Sequence, residues 1–159
     1  MITTTTTGSV REARHEDLAQ VLDLWNQNVL RAVGEHLDDE ENAAVAAHLE
    51  ATLEHGLSSC LVAQDVPGAP LDGFVTTHLL GHSTFPGYVG MVEELFVHPD
   101  RRRRGIGRML VERALAQLRA GGADHFRIEV APEDREAAGL FAAIGWEPSL
   151  LIFSHYDDV

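Results

Sequence analysis

Residues 91–118, MVEELFVHPDRRRRGIGRMLVERALAQL, constrain the rest of the chain: a strand-like run passes through a basic, glycine-bearing turn straight into a helix. Val92 to Val97 is a compact β-type run with two carboxylates in it, and His98-Pro99-Asp100 breaks it. Ile106, Leu110, Val111, Ala114, Leu115 and Leu118 then recur at the spacing of one apolar helix face, which Gly121-Gly122 closes. A glycine-rich turn feeding a helix N-terminus gathers backbone N–H groups without an intrahelical partner, and the helix dipole adds partial positive charge there. Such a turn binds anions. Gly105 and Gly107 let a ligand reach the backbone with no Cβ in the way, while Arg101 to Arg104 and Arg108 add formal charge, and a diphosphate fits this best. Two better-known phosphate loops do not match. A P-loop needs Lys-Ser/Thr after its last glycine, where Arg108-Met109 stands, and a dinucleotide fingerprint needs a third glycine where Leu110 stands.

A basic run is also what a solvated turn or a nucleic-acid patch presents. The formal net charge of −13 sets the overall field against nucleic acid and against an anionic membrane surface, and weakly favours a cationic substrate. The 159 residues, 45% hydrophobic and 23% charged, suit one soluble domain, residues 9–159, behind a disordered threonine-rich tail, residues 1–8. Thr3 to Thr7 lacks the basic and apolar regions of a signal peptide, and the single Cys60 sits in an apolar run and has no internal disulfide partner. A cytoplasmic location is the expectation.

Taken in order, Val10 to Ala13 reads as a first strand and Asp17 to Val33 as a helix with Leu18, Val21, Leu22, Trp25 and Val29 on one face, stopped by Gly34. Asp38-Asp39-Glu40-Glu41 opens a second helix, Glu40 to His55. These acids are either a rim that attracts a cation or an ordinary acidic first turn, and the helix dipole favours the second. Ser59 to Gln64 and Asp72 to Leu79 read as strands joined by a Pro/Gly turn, followed by a strand from Tyr88 to Val97. His125 to Val130 alternates as a half-polar strand, Asp134 caps a short helix that Gly145 stops, and Leu150 to Tyr156 reads as a last strand. His78 and His82 do not share a face and have no third ligand nearby in sequence, so no metal is expected.

Arg102-x-x-Gly105-x-Gly107, with Glu-Glu-Leu-Phe-Val before it, the Pro99 turn and the apolar helix after it, resembles the acyl-CoA pyrophosphate loop of the GCN5-related N-acetyltransferase (GNAT) superfamily. The segment from Val130 through Asp134, Ala137, Leu140, Phe141 and Gly145 to Trp146 is similar to that family's closing motif. The resemblance implies a single-domain α/β (α+β) GNAT-like fold. Its mixed central sheet has a splayed pair of parallel strands, carrying Val92 to Val97 and Phe126 to Val130, flanked by helices. It also implies acetyl-CoA as co-substrate and no metal. The cofactor would be held by Leu95, Phe96, Val97, Arg102, Arg103, Arg104, Gly105, Ile106, Gly107 and Arg108, with Asp134 and Phe141 from the closing segment. Two positions depart from the family: Asp134 stands where Asn is usual, and Phe141 where a Tyr often protonates the leaving thiolate, so Tyr156 or Tyr88 would have to replace that acid.

Acetyl transfer to an amine needs a base for the incoming ammonium group, and such help is typically worth about 10²- to 10⁴-fold in rate. Three glutamates compete. Glu93 resembles in position the base of polyamine-type members and comes first, Glu94 falls on the opposite face by strand alternation, and Glu129 resembles the base of ribosomal-protein N-terminal acetyltransferases. The expected function is N-acetyl transfer from acetyl-CoA to a primary amine of a small molecule by direct attack, with no nucleic-acid or membrane partner. A homodimer, which many relatives form, is compatible with this. The alternatives are a protein or peptide N-terminal acetyltransferase, with Glu129 as base, and a non-catalytic acyl-CoA-binding regulatory module, suggested by Phe141.

Overall fold

The computed structural model describes residues 8–81, 86–149 and 152. Residues 1–7 of the threonine tail, His82 and, Ile152 apart, the expected last strand with Tyr156 lie outside them. The elements are β1 (Ser9–Glu12), a 3₁₀ turn (His15–Asp17), α1 (Leu18–Val33), α2 (Asp39–Glu54), β2 (Ser58–Gln64), β3 (Leu71–Gly81), β4 (Tyr88–Val97), a 3₁₀ turn (Pro99–Arg101), α3 (Ile106–Ala120), β5 (Ala123–Ile128) and α4 (Arg135–Ala143). They fall into two compact units divided between Glu129 and Val130, the first with the whole sheet and α1 to α3, the second with α4.

In the first unit the five strands lie in sequence order, antiparallel except for the parallel pair β4 and β5, which is the mixed sheet expected. Strand alternation sorts the apolar residues to two faces. Cys60, Val62, Phe74 and Phe96 pack with Val21 and Leu24 of α1 and Leu49 of α2, while Leu61, Ala63, Val75 and Val92 pack with Ile106, Leu110 and Ala114 of α3. The apolar stripe read from residues 106–118 is therefore the face that α3 buries.

Local chemistry sets the helix ends. Asp38 accepts from the N–H of Glu41 at 2.8 Å and Glu41 reaches back to the N–H of Asp38 at 2.9 Å, so this part of the acidic run is a capping box for α2. Gly34 closes α1 in the left-handed conformation. Arg11 of β1 grips buried Asp17 with two bonds of 2.7 and 2.9 Å, and this pairing holds the Asp17 carboxyl below the usual carboxylate range. Among the described residues no helix is long and apolar enough to cross a membrane.

Two departures from the sequence reading bear on function. The strand expected at residues 125–130 runs from Ala123 to Ile128, so Glu129 and Val130 lie beyond its end. In addition, β4 is not regular. It pairs with β3 at Thr77↔Val92 and at Val75↔Leu95, so Thr76 alone faces both Glu93 and Glu94, which is a β-bulge.

Candidate active site

Two features of β4 prepare a site at its C-terminal half. The parallel ladder with β5 stops at Val92↔Ile128, so Glu93 to Val97 have no strand partner on that edge among the described residues. Apart from the Val97 carbonyl, which the Arg102 Nε takes, their backbone polar groups on that side have no ladder partner among the described residues and can meet a ligand. The bulge then resets the facing of the side chains. Val92 and Phe96 would share a face in a regular strand, yet Val92 packs toward α3 and Phe96 toward α1 and α2. Counting forward from Val92 and back from Phe96 puts Glu93 and Glu94 on the same face, toward α1, where simple alternation separates them.

The two carboxylates differ in environment. Glu93 is exposed, whereas Glu94 is half-buried and accepts a 3.0 Å bond from the Asn28 amide of α1. Burial pushes the Glu94 carboxyl above the usual range; the Asn28 bond works against this and the nearby Glu93 charge adds to it. The Glu94 N–H, displaced from the ladder by the bulge, donates to the hydroxyl of fully buried Thr76 at 3.2 Å. Glu129 is exposed, one residue past β5.

Beyond Val97 the chain makes the 3₁₀ turn and enters the loop. Gly105 takes the left-handed conformation (φ 78°) as the residue before α3, and as a glycine it offers the helix no side-chain cap. Its carbonyl accepts the N–H of Met109 at 3.0 Å, so the amides of Ile106, Gly107 and Arg108 precede the first intrahelical bond and point out of the helix start. Arg103 is also left-handed (φ 61°), a conformation that stores strain in a residue with a Cβ.

The arginines expected to share one task are divided among several. Arg101 is paired with buried Asp72 at 3.1 Å. Arg102 donates its Nε to the carbonyl of Val97 at 3.0 Å and lies over the Phe96 ring. Arg108 is paired with Glu112 one helical turn on, at 2.7 Å. Arg103 and Arg104 are exposed. Of the β4 residues expected on the cofactor side, Phe96 is buried, and Leu95 and Val97 pack with the α3 cluster.

In the second unit, Asp134 caps α4 by accepting the N–H of Ala137 at 3.0 Å, the role its position implied, and Gly145 follows the helix in the left-handed conformation. Phe141 is buried with its ring against Trp146. Tyr88 opens β4 nine residues before Val97, roughly 30 Å of strand from the loop. Among the described residues no group of three or more His, Cys, Asp or Glu side chains could hold a metal ion. Cys60 is buried and its thiol is pushed up to about 12, chiefly by desolvation, which keeps it unreactive.

Sequence reasoning missed Asn28, Thr76 and Asp72. Each meets its partner only through the tertiary fold, and none lies in a recognisable motif.

A parallel strand pair that stops halfway, beside a glycine loop that opens a helix, is the architecture the sequence resemblance implied, and the family comparison agrees with that architecture. Residues 18–146 match the Acetyltransferase (GNAT) family, and the chain belongs to it. Among solved structures it is similar to a transcriptional regulator from Bacillus halodurans C-125, at 18% identity and a TM-score of 0.81, over 94% of this chain and 99% of that one. It is also similar to AAC(6')-Iy in complex with a bisubstrate analog, CoA-S-monomethyl-acetylneamine, at 18% identity and a TM-score of 0.76, over 96% and 99% of the two chains. A third is the aminoglycoside 6'-N-acetyltransferase AAC(6')-IG from Acinetobacter haemolyticus, at 16% identity and a TM-score of 0.75, over 95% and 99%. At these identities the likeness speaks for the fold.

Proposed function

We propose that the chain is an acetyl-CoA-dependent N-acetyltransferase acting on a primary amine of a small molecule. The observation that carries this is the juxtaposition on one strand of an edge without a strand partner among the described residues, Glu93 to Val97, and, a short turn and loop later, the start of α3 behind Gly105. The amides of residues 103–108 hold the diphosphate of acetyl-CoA, and an N–H from Leu95 to Val97 polarises the acetyl carbonyl. Bound acetyl-CoA supplies the thioester that the amine attacks. Neighbours that carry a CoA conjugate or are described as aminoglycoside acetyltransferases support this cofactor and a small-molecule acceptor. The family match runs from α1 past Gly145, which supports reading both units as one catalytic domain.

In this reading Glu94 is the general base and Glu93 receives the ammonium group. A base works best with its pKa near the operating pH, and burial moves Glu94 in that direction. Asn28 fixes one carboxylate oxygen and leaves the other to take the proton. Glu93, exposed beside it, contributes charge. The peptide-acetyltransferase reading needs Glu129, whose exposure beyond the end of β5 gives it no comparable setting.

Three variants test the assignment. Glu94→Gln should lose about 10²- to 10⁴-fold in kcat with acetyl-CoA affinity unchanged, Glu93→Gln should act mainly on the KM of the amine, and Glu129→Gln should do little. Loss of kcat in the Glu129 variant alone would replace this reading with peptide N-terminal acetylation.

A further inference from the structure

We propose that Asp72 is a positioning residue for the diphosphate loop, acting through Arg101; this rests on the reading of residues 103–108 as the loop that holds acetyl-CoA. Asp72 stands at the start of β3 and is 5% exposed. It holds the turn between β4 and the loop twice: its carbonyl accepts the N–H of His98 at 2.8 Å, and its carboxylate takes the Arg101 Nε at 3.1 Å. Arg102 adds a third tie, to the Val97 carbonyl and the Phe96 ring. The loop thus leaves a root fixed on β3 and β4, and two residues later it enters the strained conformation of Arg103.

The pairing changes what Arg101 can do. A guanidinium whose Nε is engaged by a buried carboxylate has part of its charge balanced there, and the contact ties the backbone of the turn to β3. The carboxylate is buried but the guanidinium is partly exposed, so the pair is a weak source of stability: desolvation of one and solvent screening of the other offset the Coulombic gain. It does supply direction. Donors aimed in advance bind more tightly because the ligand does not have to order them.

The two possible roles of Arg101 predict opposite signs. If Asp72 only muted a phosphate ligand, Asp72→Asn would free the charge of Arg101 and tighten CoA binding. If Asp72 positions the loop, the same change lets the root drift and weakens CoA binding, by roughly tenfold or more. The effect should be confined to the diphosphate. Acetyl-pantetheine, which carries the thioester but no diphosphate, is the probe that separates a loop effect from general damage.

The experiment compares kcat/KM for acetyl-CoA and for acetyl-pantetheine in the wild type, Asp72→Asn, Arg101→Gln and the double variant. The expected result is a wild-type preference for acetyl-CoA that falls roughly tenfold in each single variant, with acetyl-pantetheine turnover retained and the double variant no worse than either single. A retained preference in Asp72→Asn, tighter CoA binding, or equal loss with both donors would overturn the inference. A wild type without any preference for acetyl-CoA would instead remove the diphosphate-loop reading beneath it.

Discussion

At Gly73 the strands β3 and β4 leave no room for a Cβ, and replacing this glycine should open the sheet beneath the site. A Cβ built there would stand 2.5 Å from the carbonyl oxygen of Phe96 and 3.2 Å from the Cα of Val97, both backbone atoms that cannot swing aside. Carbon–oxygen contact is ordinary from about 3.3 Å, so Gly73→Ala forces the strands apart by roughly 0.8 Å at the Gly73↔Val97 register. A ladder bond of about 2.9 Å then stretches to about 3.7 Å and is lost. Two such bonds at about 1 kcal/mol each give a destabilisation of about 2 kcal/mol, within the usual range for overpacking. For a chain of this length that lowers Tm by about 4–8 °C. Urea unfolding at equilibrium reads the first figure and a thermal scan the second. Because Val97 leads into the turn that carries the loop, CoA affinity measured on folded protein should fall as well. A Gly73→Ala protein with wild-type stability and wild-type CoA affinity would refute the geometry of this strand pair.

Three further outcomes are expected. Gly105→Val puts a β-branched residue in the left-handed conformation before α3 (φ 78°), at a cost of at least about 1–2 kcal/mol, and titration calorimetry should find CoA binding sharply weakened in folded protein. Arg103→Gly relieves the same conformation where the chain now has a side chain; about 1–2 kcal/mol of strain less about 0.4–1 kcal/mol of added chain entropy leaves a mid-range gain of about 0.8 kcal/mol, which a thermal scan should read as a Tm roughly 2–3 °C higher. For Glu94 the folded carboxyl titrates above its unfolded value. Its contribution to stability is therefore fully present below the unfolded pKa of about 4.3 and is lost as pH rises through the folded one. Glu94→Gln should accordingly gain relative to wild type between urea midpoints taken at pH 4 and at pH 7.5, and equal midpoints at both would contradict the burial argument.

What could be read in the sequence was governed by local rules. The apolar face of α3, the cap at Asp134 and the stop at Gly145 all appear where spacing and cap chemistry put them, because each is decided within a few residues. The end of the loop was legible for the same reason, since Gly105 carries the left-handed backbone requirement itself, whereas the like conformation of Arg103 was not. The bulge was not. Val92 to Val97 looks like a regular strand, and only the register with Thr76 reveals that two carboxylates share a face. Asn28 lies 66 residues from Glu94, so nothing local announces the bond that singles out this glutamate. Arginine charge was overread in the same way: Arg101 and Arg108 count as free cations in a string of letters, and the fold gives each a carboxylate. The premature end of β5 moved Glu129 off its strand, because alternation continues through Val130 in the sequence while the ladder stops at Val92↔Ile128.

The most direct test of the whole account is release of free CoA thiol from acetyl-CoA by the purified protein, with and without a panel of primary amines that includes aminoglycosides, polyamines and peptide N-termini. The account predicts slow release alone and amine-dependent release with at least one small-molecule amine, carried off when Gly105→Val or Glu94→Gln is substituted. Tight CoA binding with no amine-dependent thiol release from any member of the panel would contradict it and leave an acyl-CoA-binding module in place of an enzyme.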